Sequence, residues 1–113
     1  MDYNPEHAAL ALSILERLLP RVTSHREYEE LVEILRDKSR WHEAHALFNE
    51  IRVNITLPLE AHPKSDLDFY FVYIAENAAK TAYNCSGRPA PFDADSFDWL
   101  LRCEAEFLKQ IKK

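Results

Sequence analysis

Glycine is nearly missing from this chain: one residue in 113, Gly87, against an ordinary usage of about 7%. All-β folds and phosphate-cradling loops both consume glycine, so the scarcity excludes them and favours helices. No run approaches the ~18 consecutive apolar residues of a membrane span. The start, Met1-Asp2-Tyr3-Asn4-Pro5-Glu6, lacks the basic head and apolar core of a secretion signal, so a cytoplasmic location is expected. Only Cys85 and Cys103 carry thiols; without export both are expected to be free. Eighteen positions apart and with no Cys-x-x-Cys pair, they indicate no zinc site. Asn84-Cys85-Ser86 fits the glycosylation triplet, without consequence in a reducing compartment.

What is present is an ordinary globular composition, 47% hydrophobic and 29% charged. The length suits one domain, residues 1–113, with one core. Helix signals recur along it. Asn4-Pro5-Glu6 reads as an N-cap, a proline at the first helical position and an acid that favours the dipole. Ala8, Leu12, Leu15 and Leu19 follow at three- and four-residue spacings until Pro20. Ser24 to Glu27 has capping-box spacing and opens a second helix on Tyr28, Leu31, Val32 and Leu35, with Glu27, Glu29, Glu30 and Glu33 as its solvated face. A third carries Trp41, Ala44, Phe48, Ile51 and Ile55 and is expected to stop at Leu57-Pro58; the β-branched run from Val53 to Thr56 leaves an extended end open. A loop over 58–65, containing Pro63, leads to Ser65-Asp66-Leu67-Asp68, a second capping box. It starts a fourth helix on Leu67, Phe71, Ile74, Ala75, Ala78 and Ala82 that ends at Gly87 and Pro89. Asp95 or Ser96 caps a fifth, with Phe97, Leu100, Leu101, Leu108 and Ile111 toward the core. The expected fold is all-α, a single-domain bundle of about five helices.

Charge is unevenly spread. Net charge is −5, and residues 65–108 alone, with eight acids against Lys80, Arg88 and Arg102, account for as much. An acidic domain is repelled by nucleic-acid backbone and anionic membrane and attracted to basic proteins, so neither of the first two is an expected partner. Acids beside aromatics make binding hot spots for a basic protein, which nominates Asp66, Asp68, Tyr70, Tyr73, Asp93, Asp95, Asp98 and Glu104 as partner-binding residues.

Catalytic and metal patterns are thin. His42-Glu43-Ala44-His45 is one residue short of the zinc-protease motif, and neither histidine is preceded by the Glu-x-x of a di-iron bundle. Asp93, Asp95 and Asp98 resemble a calcium ladder, but the glycine and closing glutamate of an EF-hand are missing. No metal or cofactor is expected. Arg36-Asp37-Lys38-Ser39-Arg40-Trp41-His42 resembles the Arg-(polar)-x4-His element of HEPN ribonucleases, which implies a metal-independent RNA-cutting alternative using Arg36 and His42. That family places the element near its last helix; here it precedes the third.

A second resemblance lies further on. Glu76-Asn77-Ala78-Ala79-Lys80, Tyr83-Asn84 through Pro91-Phe92-Asp93-Ala94-Asp95-Ser96, and Trp99-Leu100 are similar to a pattern in small helical bacterial immunity proteins of contact-dependent growth inhibition. The likeness covers roughly residues 74–101. It implies a non-enzymatic inhibitor that binds a cognate toxin domain, often a basic nuclease, and covers its active site or substrate groove. A non-catalytic helical adaptor is the remaining alternative.

Overall fold

The computed structural model describes residues 3–62, 65–88 and 92–112. Helix α1 (Pro5–Leu18) starts as its sequence dictates: Asn4 caps it, accepting the Glu6 N–H at 2.9 Å, and Pro5 takes the first position. Ala8, Ala11, Ile14, Leu15 and Leu18 are its buried stripe, and Pro20 falls in the short 3-10 turn Leu19–Arg21.

Helix α2 (Arg26–Arg36) begins later than the capping box predicts. His25 is the N-cap and offers no side-chain bond. The entry is fixed instead by Thr23, whose N–H and hydroxyl donate to the Asp68 carboxylate at 2.8 and 2.6 Å. The expected apolar face is buried, joined by Ile34. Glu27 departs from the solvated face: it is buried and accepts from Asn54 at 3.1 Å. Asp37 then caps a 3-10 turn, Lys38–Glu43, by accepting from the N–H and hydroxyl of Ser39. That turn, rather than a third helix, carries Trp41, buried with its indole N–H on the Leu35 carbonyl.

Helix α3 runs over residues 44–61, past the expected stop. It consists of Ala44–Ile51, a π turn Arg52–Thr56, and Leu57–Ala61. The run from Val53 to Thr56 is therefore helical, not extended. In an α-helix the Pro58 ring clashes with the carbonyl four residues back and forfeits a hydrogen bond. The π turn just before it widens the spiral, and the Leu57 N–H reaches the Arg52 carbonyl, five residues back. Proline is thus absorbed where a stop was expected.

Helix α4 (Asp66–Cys85) is the hub. Ser65 caps it, accepting the Asp68 N–H at 3.2 Å, and Gly87, at φ +76°, closes its far end. A left-handed residue at this position is where glycine costs least. Pro63 and Pro89 lie outside the described residues. Phe71, Val72, Ile74, Ala75, Ala78, Ala79 and Ala82 are fully buried, so α4 is enclosed on more than one side. Its alanines admit α1, α3 and α5 close to its axis.

Helix α5 (Ser96–Ile111) returns antiparallel along α4. Phe71 meets Phe107, Asn77 meets Cys103, and Lys80 and Asn84 meet Asp93. Its buried seam is Leu100 and Phe107, with Cys103, Leu108 and Ile111 packed beside it. Leu101, expected inside, is 41% exposed: one residue past Leu100, it is rotated about 100° away from the seam. The described residues form an all-α bundle of five helices without a strand.

A candidate interaction face and two further concavities

The nominated residues do not form one surface. Asp66 opens α4, whereas Asp93, Asp95 and Asp98 lie at the start of α5, beside the end of α4. At 1.5 Å per residue those ends of the bundle are roughly 28 Å apart. Asp68 is 7% exposed and spent on Thr23; it belongs to the interior, a correction to its nomination as a contact residue. Glu104 is partly buried and paired with Arg17. Asp93, Asp95 and Asp98 remain exposed together.

Tyr70 and Tyr73 line a groove between α4 and α5 with Phe69, Trp99, Arg102 and Cys103, enclosing about 240 Å³. Trp99 is 47% exposed. Its indole N–H donates to Asp95 at 3.0 Å, and the Arg102 guanidinium lies 4.8 Å from its ring centre. Tyr73 is held likewise: its hydroxyl donates to Glu60 at 2.8 Å. Burial, that hydrogen bond and the nearby carboxylates push its phenol up to about 12. The rings are thus fixed by acids and border the exposed acids of α5. Trp99 was not foreseen as a surface ring, although its place one position before Leu100 on the seam carries the signal.

A second concavity, about 220 Å³, lies where α1 starts and α4 ends, lined by Asn4, His7, Thr81, Asn84, Cys85 and Asp98 among others. Cysteine, histidine and aspartate are the types of a nucleophilic triad, but the arrangement opposes one. Burial raises the Cys85 thiol above its ordinary range, its S–H donates to the Asn4 carbonyl, and the His7 ring is stacked flat on Phe97 at 4.0 Å. A reactive cysteine needs the reverse shift. Asn84 is buried, its amide N–H donating to the Asp93 carbonyl and its oxygen accepting the Phe92 N–H, so the glycosylation triplet is closed off in the folded chain.

A third concavity, shallow and about 480 Å³, is lined by His42, Glu43, His45, Ala46, Tyr83 and Arg88. Arg36, the other half of the ribonuclease-like element, is paired with Glu16 instead. Among the described residues no group of three or more metal-binding side chains converges. No helix in them is long and apolar enough to cross a membrane.

Comparison with models of known protein families, with curated proteins and with solved structures gave no match.

Proposed function

We propose that this chain is an immunity-type inhibitor: it binds a cognate protein toxin domain, a basic nuclease by preference, and covers its active site or substrate groove. The observation that carries the reading is Trp99, a half-exposed indole fixed by Asp95, standing between an aromatic groove and an acidic helix end. Exposed tryptophan and tyrosine in a desolvating groove are the side chains that dominate binding energy, commonly at 2 kcal/mol or more each by truncation. Asp93, Asp95 and Asp98 supply the field that steers a basic partner, standing where substrate phosphates would on a nuclease. The proposed contact set is therefore Tyr70, Tyr73, Trp99, Asp93, Asp95 and Asp98. Rings whose rotamers are already held lose little entropy on binding. The chain acts by occlusion, with no chemistry of its own.

Growth rescue tests this directly. The C-terminal domain of the protein encoded immediately upstream is expressed with and without this chain. Arrest that the chain relieves, together with a co-purifying complex, is the expected result. Unaffected growth, or arrest caused by this chain itself, counts against the proposal.

A further inference from the structure

On an acidic chain, nearly every arginine is already committed. Arg17, Arg26, Arg36, Arg40 and Arg52 each pair with a glutamate, and Arg102 lies over Trp99. Among the described residues only Arg21 and Arg88 have neither an ion pair nor a ring beneath them. Arg88 is distinguished by its surroundings: it lines the concavity of His42, His45 and Tyr83. Both histidines are exposed, His42 in the 3-10 turn before α3 and His45 in its first turn.

The charges around this concavity are otherwise balanced. Glu43, its one acid, receives two N–H bonds from Arg40, each 3.1 Å, which hold its carboxyl below the usual range. Lys38 lies over Trp41. Lys80 sits against Phe48 and Phe92 and is 4.0 Å from Asp93. What is left over is the Arg88 guanidinium, beside the exposed His42 and His45; the His45 ring also packs against Tyr83 and Phe92 at 5.0 and 5.1 Å.

We propose that this concavity binds the phosphate group of a small molecule. The guanidinium donates two parallel N–H bonds to a pair of phosphate oxygens, and the imidazoles donate to the others. The concavity, about 480 Å³, is shallow, so it would hold the phosphate group and leave the rest of the molecule in solvent. This site is remote in composition from the α4–α5 groove and does not depend on the inhibitor reading.

Sulfate is the first probe, because it is a dianion with the tetrahedral oxygens of a phosphate group. Added at constant ionic strength to the full chain, it is followed by NMR at the His42 and His45 rings and the Arg88 side-chain N–H. Expected are saturable shifts, and about tenfold weaker binding in Arg88→Gln. The double variant His42→Gln, His45→Gln should bind sulfate about tenfold more weakly while keeping the fold by circular dichroism. Inorganic phosphate and AMP then separate the sources at pH 7.5: tighter AMP assigns a nucleotide, equal affinity assigns free phosphate. Shifts that stay linear with sulfate, binding unmoved by Arg88→Gln, or sulfate binding with neither phosphate nor AMP, each overturn the proposal.

Discussion

Two sets of carboxylates in this protein have the same charge and opposite fates. Glu27, Asp68 and Glu76 are buried, and each is answered from inside: Asn54 for the first, Thr23 for the second, Arg52 and Thr56 for the third. Asp93, Asp95 and Asp98 stay at the surface; among the described residues the Asp95 carboxylate takes the Trp99 indole N–H, and that of Asp93 lies 4.0 Å from Lys80. Burying a carboxylate is tolerable only when its oxygens are satisfied, and the donors decide which acids go in. The inner set joins α2, α3 and α4; the outer set stays in solvent, where the proposed function has it steer a partner. The buried acids also act on Tyr28, whose phenol is raised by burial first and then by the charges of Asp68, Glu27 and Glu76.

Glu76→Ala gives the largest effect expected of this contrast. Removing one member of a buried ion pair costs about 3–5 kcal/mol when both are enclosed. Arg52 keeps 39% side-chain exposure, which lowers the expected loss to about 2–3 kcal/mol in urea denaturation. A change below about 1 kcal/mol would place Glu76 functionally with the outer set. Asp68→Ala follows at about 1–2 kcal/mol, since it strands the Thr23 N–H and loosens the entry to α2. Stability unchanged in that variant would mean that water serves Thr23 as well as the carboxylate does.

Alkaline titration probes the same contrast through the tyrosines. Both Tyr28 and Tyr73 hold their protons more tightly folded than unfolded, where a phenol ionises near 10. Their contribution is therefore complete below about pH 10 and is lost as pH rises from there toward 12 and beyond. Tyrosinate absorbance should lag the free amino acid, and the melting temperature should fall across that window. Coincident ionisation of all five tyrosines near 10 would refute it. The smallest stability effect belongs to the outer set: Asp93, Asp95 and Asp98 changed together to asparagine should shift stability by no more than about 0.5 kcal/mol. The same triple variant should slow association with a toxin partner about tenfold at low salt and flatten its salt dependence. Unchanged association kinetics would move the interface off this helix end.

Local signals carried far in this sequence. Asn4-Pro5, Ser65 and Gly87 mark helix ends by chemistry confined to a few residues, and the structure uses all three. Ser24 failed because its rival was distant: Thr23 is tied to Asp68, 45 residues on, and no local pattern shows that. Leu57-Pro58 failed because a π turn can absorb a proline. Leu101 was assigned to the core and Phe107 left out of it, each one step of the helical period from a true or expected core residue, a distinction that neighbouring leucines blur. The division of the acids was not legible at all, since it depends on α4 and α5 being antiparallel and on the donors each carboxylate meets. The concavity of His42, His45 and Arg88 escaped for a similar reason; its residues come from a turn, a helix start and the end of α4.

The π turn of α3 also says something about chain length. A wider turn takes up one residue more than an α-helix needs to keep its two flanks in phase. Ile51 before it and Leu59 after it are both buried, while Val53 within it is 63% exposed and adds nothing to the core. Val53 is the spare residue, but removing it alone would return Pro58 to an α-helical clash, so the residue and the proline can be given up only together. Length, usually fixed inside a packed helix, is negotiable here.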